Sequence, residues 1–150
     1  MAKYALDTNI LIDALNVPSQ LEALLGFLNW ALPATYLSAV VVHELAAGTT
    51  TARQRALLDQ QVTGPFVRRG RLFAPSAGAW HRAGELVGQG HRVSSPAALN
   101  DLLLAVSCRE AGFTVITRDA GVRRLTRLVR GLRVISTFPA PPTRDEQPGR

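Results

Sequence analysis

The sequence predicts an α/β protein, a three-layer α/β/α sandwich around a mostly parallel central sheet, in a single domain. Three observations predict it. Short apolar runs alternate with helical patterns from one end of the chain to the other, and strands separated by helices imply a parallel sheet with helices on both faces. Helix starts carry capping chemistry, most clearly at Ser95-Pro96, an N-cap followed by proline in the first turn. The chain has 150 residues and no internal repeat, which suits one ordinary domain able to bury a core without disulfides or structural metal.

The elements follow in order. Tyr4-Ala5-Leu6 reads as a short buried strand ending at Asp7, and a helix begins near Asn9. Pro18 occupies a first helical position, and Leu21, Leu24, Leu25 and Leu28 recur at helical spacing. Tyr36-Leu37 is a second strand, after which Ser38 caps a helix through Val40, Val41, Glu44 and Leu45, with Gly48 as its stop. A further helix covers Thr51 to Val62; Arg71-Leu72-Phe73 is a weak strand, and a helix runs from Ser76 to Val87. Gly88 to Ser95 is a loop, and the Ser95-Pro96 helix runs to Ala111 and stops at Gly112. Phe113 to Ile116 is a strand rich in β-branched residues. A short helix from about Gly121 to Val129 and a last strand, Arg133-Val134-Ile135, complete a domain expected to span residues 1–137. Residues 138–150 are proline-rich and polar, and are expected to form a disordered tail.

Composition narrows the function. No apolar run reaches the roughly 18 residues of a membrane span, and the N-terminus lacks a signal-peptide core. A cytoplasmic protein that does not engage a membrane is expected. Cys108 is the only cysteine, and His43, His81 and His91 show no zinc-site spacing, so neither an internal disulfide nor a zinc framework is expected. The formal charge is +6, from 17 basic and 11 acidic residues, and Lys3 is the only lysine. A net positive chain favours an anionic partner. Arginine is the better fork for phosphate oxygens, although a GC-rich genome would also raise the arginine count.

In open parallel sheets, sites form beyond the carboxyl ends of the strands. Asp7 ends the first strand and Asp119 follows the fourth; each could equally be a helix cap. Glu44 lies on the apolar face of its helix with Val40, Val41 and Gly48, where a carboxylate must be paired with an arginine, hydrogen-bonded or bound to metal. Asp101 shares a face with the small residues Ala97, Ala105 and Cys108, or is an ordinary exposed acid. Taken together, two acids at strand ends and two on helices that lean over the same edge would repel one another unless a cation sat between them. Hard divalent ions such as Mg²⁺ take oxygen ligands, and ions held by a few carboxylates serve phosphodiester cleavage. Arg118, Arg123, Arg124, Arg127, Arg130 and Arg133 flank Asp119, and Arg68, Arg69 and Arg71 form a second cluster. Acids within a basic surround suit a phosphate-backbone substrate. Arg118, Arg123 and Arg124 are the candidate contacts to such a nucleic-acid backbone.

Four segments resemble the motifs of the PIN-domain family. Leu6-Asp7-Thr8-Asn9-Ile10-Leu11-Ile12-Asp13 resembles the opening motif, and Val42-His43-Glu44-Leu45 the second. Asn100-Asp101-Leu102-Leu103-Leu104-Ala105 resembles the third, and Thr117-Arg118-Asp119 the fourth. Order and spacing hold from Tyr4 to about Ile135. The family often carries a second acid and a Phe just after the last motif; here that stretch is Ala120-Gly121-Val122. The resemblance implies a parallel α/β/α fold and Mg²⁺-dependent RNA endonuclease activity, with Mn²⁺ as a substitute. It implies that Asp7, Glu44, Asp101 and Asp119 are catalytic residues and metal ligands, with Asn9 and Thr117 in support, and that the backbone Arg118, Arg123 and Arg124 would contact is RNA. The compact size resembles the VapC branch, which implies a homodimer acting as the toxin of a toxin–antitoxin pair, held inactive by a cognate antitoxin.

Receiver and haloacid-dehalogenase phosphotransferases use a later lysine, and this chain has none after Lys3. A non-catalytic RNA-binding domain with a decayed site is opposed by the presence of all four acids. A PIN nuclease of RNA processing without an antitoxin remains a distinct alternative.

Overall fold

The computed structural model describes residues 2–143. Strand β1 (Lys3–Leu6) is followed by the helical hairpin α1 (Thr8–Asn16) and α2 (Pro18–Ala31), then by β2 (Thr35–Ser38) and α3 (Ala39–Ala47). Helices α4 (Ala52–Leu57) and α5 (Gly64–Arg68) precede β3 (Leu72–Phe73) and α6 (Ala77–Gly88). The long helix α7 (Pro96–Ala111) leads into β4 (Phe113–Ile116), α8 (Ala120–Arg124) and β5 (Arg133–Ile135). The sheet has five parallel strands in the order β3-β2-β1-β4-β5. The expected three-layer parallel α/β class is therefore the observed one.

The central strand is buried on both faces, as parallel sheets require: Ala5 and Leu6 have no exposure, nor do Leu37, Val115 and Ile116 beside them. On one face Tyr4 meets Phe27 and Trp30 of α2 edge-on. On the other, Tyr36 stacks on Phe113, their ring centres 4.6 Å apart. The capping signals act as read. Ser38 accepts from the Val40 amide and Ser95 from Ala98; Ser76, read only as the start of its helix, proves to be a cap as well, accepting from Ala79. Gly112 ends α7 in the left-handed region at φ 73°, where a side chain would be strained.

Three segments differ from expectation. The helix expected over Thr51–Val62 runs on to Arg68 but widens into a π turn at Leu58–Thr63. Pro65 has no N–H to give the regular ladder, and the Gly64 amide reaches back to the Asp59 carbonyl instead. The helix expected over Gly121–Val129 is α8 followed by a 3-10 turn at Leu125–Arg127. The residues that follow β5 contain no helix or strand as far as 143, yet Phe138 stacks on Phe27 with ring centres 5.0 Å apart. Packing thus extends past residue 137, while 144–150 of the expected tail lie outside the described residues. Among the described residues no helix is long and apolar enough to cross a membrane.

The sheet order sets the location of the site. From β1 the chain moves outward to β2 and β3, then returns to β4 on the opposite side of β1. The strand order therefore reverses between β1 and β4. The crevice beyond the carboxyl ends at such a reversal is the binding position of open α/β sheets.

Candidate active site

Asp7 extends β1 by one residue, its amide bonded to the Ile116 carbonyl of β4 at 3.0 Å, and Thr117 extends β4 by bonding to the Ile135 carbonyl. The two residues therefore meet at the reversal point, although 110 positions separate them. The Thr117 hydroxyl donates to Asp7 Oδ2 at 2.7 Å, and Asn9 Nδ2 donates to the same oxygen at 3.2 Å. Asp7 Oδ1 accepts from the Thr8 amide at 2.8 Å. Asp7 is thus the helix cap of α1 and a member of the acidic set at once. Thr117 Oγ1 also accepts from Asn9 Nδ2 at 2.9 Å and from the Asp119 amide at 3.0 Å. Thr117 is fully buried, so its hydroxyl is a fixed joint between three site residues.

The other acids arrive from three elements. Glu44 on α3 is half-buried and accepts from the Thr8 hydroxyl at 2.9 Å. Asp119 caps α8, accepting from the Gly121 amide at 3.0 Å. Asp101 stands on the first half of α7, half-buried, and Ala97 one turn earlier gives it room. A β-carbon built on Gly121 would lie 3.3 Å from Asp119 Oδ2 and 3.7 Å from Asp101 Oδ2, so those two carboxylates flank one point. All four acids line a cleft of about 460 Å³, with Thr8, Asn9, Ile12, Ala97 and Arg118. A cavity of about 400 Å³ beside Arg82, Arg109 and Arg130 on α6, α7 and the loop before β5 contains none of them.

The electrostatics distinguish this cluster from a structural one. Among the described residues none of the four acids has a basic partner within ion-pair distance, so the arginine salt bridge considered for Glu44 is absent. Burial pushes the Asp7 carboxyl up, against the hydrogen bonds from Thr117 and Thr8, and the charges of Glu44 and Asp119 add to the rise. Asp101 is raised to about 7 by burial and then by Asp7, Asp119 and Glu44. Burial likewise raises the Cys108 thiol beneath the site, leaving it an inert core residue. His43 and His81 are exposed, and no histidine lines the cleft.

The donor set is all oxygen, with neither sulfur nor imidazole, and that fits a hard divalent cation. Among the described residues, however, no three acidic, histidine or cysteine side chains stand close enough to form a ready-made cage. Repulsion keeps the carboxylates apart, and Thr117, Asn9 and Thr8 occupy part of their acceptor capacity. Such an arrangement suits Mg²⁺, which keeps several of its own waters.

Of the candidate RNA contacts, Arg118 lines the cleft but its guanidinium is bonded to Asp13 and Gln20. Arg123 and Arg124 are exposed on α8 beyond Asp119. Sequence reasoning missed Thr8, whose hydroxyl orients Glu44. Its place directly after Asp7 was the available signal.

A parallel three-layer α/β domain with an acidic cleft at its strand reversal is the class of protein these features define. The PIN domain family model matches residues 4–128, and the chain belongs to that family. No curated protein sequence matches it. Similar solved structures include FitAcB from Neisseria gonorrhoeae, at TM-score 0.64 and 22% identity, covering 89% of this chain and 96% of that one. FitAB bound to the IR36 DNA fragment matches at TM-score 0.63 and 22% identity, over 88% and 93% of the two chains. VapBC2 from Rickettsia felis bound to a promoter DNA fragment matches at TM-score 0.60 and 22% identity, over 88% and 96%.

Proposed function

We propose that the protein is a divalent-metal-dependent endoribonuclease, acting in the cytosol as the toxin of a toxin–antitoxin pair and restrained by a cognate antitoxin. The observation that carries the nuclease reading is the convergence of Asp7, Glu44, Asp101 and Asp119 on one cleft without a basic partner among the described residues. A stable fold has no use for such repulsion, whereas a cation-binding site does. The toxin reading and the homodimer rest on the family, on the resemblance to its VapC branch and on the fold shared with the FitAB, FitAcB and VapBC2 structures.

Asp7, Asp101, Asp119 and Glu44 would hold the ion, directly or through water. Mg²⁺ or Mn²⁺ in that position supplies a Lewis acid for the phosphate and a water of lowered pKa. The protein's own work is positioning. Thr117 and Asn9 fix the Asp7 carboxylate, Thr8 aims Glu44, and the Gly121 amide holds Asp119. Burial and the neighbouring carboxylates raise Asp101 to about 7, so as a ligand it would give up the proton it partly holds near neutrality. The exposed Arg123 and Arg124 give the phosphate backbone a positive rim next to Asp119.

RNA cleavage by the purified chain should require Mg²⁺ or Mn²⁺ and stop in EDTA; undiminished cutting in excess chelator overturns the metal mechanism. Co-purification with the product of an adjacent gene, and a dimer by light scattering, are the expected results for the toxin reading. A stable monomer that captures no neighbouring product would favour a free-standing RNA-processing nuclease.

A further inference from the structure

Arg118 is the only basic residue lining the acidic cleft among the described residues. A guanidinium beside four carboxylates would ordinarily pair with one of them. Instead Nη1 donates to Asp13 Oδ2 at 2.8 Å and Nη2 to Gln20 Oε1 at 2.7 Å. Asp13 lies on α1 and Gln20 on α2, so the two arms grip both helices of the hairpin. The backbone of the same residue is also tied, its amide donating to Asn9 Oδ1 at 3.0 Å. Asn9 in turn holds Asp7 and Thr117.

We propose that Arg118 is a positioning residue, whose guanidinium clamps the Thr117–Asp119 corner to the α1–α2 hairpin, and that it is not a phosphate contact. Thr117 precedes it and Asp119 follows it, so the clamp fixes the spacing between Asp119 and Asp7. Asp13 acts as the keeper: its charge holds the guanidinium outside the carboxylate set, leaving those oxygens for the ion. The side chains of Arg118 and Asp13 are 33% and 42% exposed, and a pair this open adds little to global stability. Its effect is on local geometry. Only arginine has the planar fork that spans two acceptors on different helices. The consequence for metal binding rests on the nuclease reading; the clamp itself does not.

The test uses the full chain with Arg118→Gln, Arg118→Lys, Asp13→Asn and the Arg118→Gln/Asp13→Asn double variant. Amide hydrogen exchange in metal-free protein is read at Arg118, Asp119 and Gly121. Each single variant should speed exchange there about fivefold, the scale of one partly exposed charged pair, without lowering protection in the sheet. The double variant should be no worse than either single, and Arg118→Lys should recover part of the loss. Mn²⁺ affinity by calorimetry should fall by a similar factor. The salt dependence of RNA binding should be unchanged in Arg118→Gln, whereas loss of a phosphate contact would reduce its slope by about 0.7. Unchanged exchange in both single variants overturns the clamp, and a reduced salt slope without faster exchange makes Arg118 a phosphate contact. If the wild-type protein takes up no Mn²⁺, the nuclease reading falls and exchange alone still decides the clamp.

Discussion

Asp7 serves as helix cap and site carboxylate together, so its replacement separates two effects. Asn caps about as well as Asp, and Asp7→Asn should leave the fold intact while abolishing RNA cleavage in Mg²⁺. Retained cleavage would return Asp7 to the scaffold. Asp101 gives a pH signature. Its carboxyl is ionised above about pH 4 in the unfolded chain but only above about 7 in the fold. Between those values the folded state holds the extra proton, so metal-free stability should fall as pH rises through that window and level off above it. Asp101→Asn should flatten this slope and raise the melting temperature at pH 8; an unchanged profile would refute the assignment. Thr117→Val keeps the shape but leaves Asp7 short of a donor and strands the Asp119 amide. It should cost about 1–3 kcal/mol in urea unfolding, and a midpoint equal to wild type would count against the joint. The four acids were legible in the sequence because each follows a strand or lies on a patterned helix. The Arg118–Asp13 bridge was not, since it depends on how α1, α2 and the β4–α8 corner meet in space.

At the scale of elements, strands and caps were the legible part. Ser38 and Ser95 each accept an amide bond at the helix start where the sequence put them. The π turn was hidden because hydrophobic periodicity does not report which carbonyl a given amide reaches. Its cause was nonetheless in the sequence, in Gly64-Pro65. A β-carbon on Gly64 would collide with the Asp59 carbonyl oxygen. Gly64→Ala is therefore expected to destabilise the protein by about 1–3 kcal/mol, against the gain of about 0.4–1 kcal/mol usual for Gly→Ala at a site whose backbone alanine can adopt. A denaturant midpoint that moves upward would show that the helix relaxes to regular geometry instead.

At the scale of the whole molecule, the sheet places its acidic cleft where strand order reverses, and the rest of the chain encloses that centre. Phe138 shows how far the enclosure reaches, since its ring stacks on Phe27 beneath Tyr4 and Trp30. A proline-rich composition signals the loss of regular structure but says nothing of a single aromatic anchor within it. Phe138→Ala should lower stability by about 1–2 kcal/mol, read as a shift in the melting curve; an unchanged curve would make the stack incidental. The reversal of strand order also governs timing. The hydroxyl that seats Asp7 lies 110 residues downstream of it, and β4, which carries the chain to Thr117, is β1's partner on one side. A ribosome-bound chain halted before that strand lacks both the hydroxyl that seats Asp7 and the fourth carboxylate, Asp119. Synthesis proceeds from the N-terminus, so the cleft is completed only once β4 and the Thr117–Asp119 corner have joined the sheet, and a copy terminated before them never assembles it.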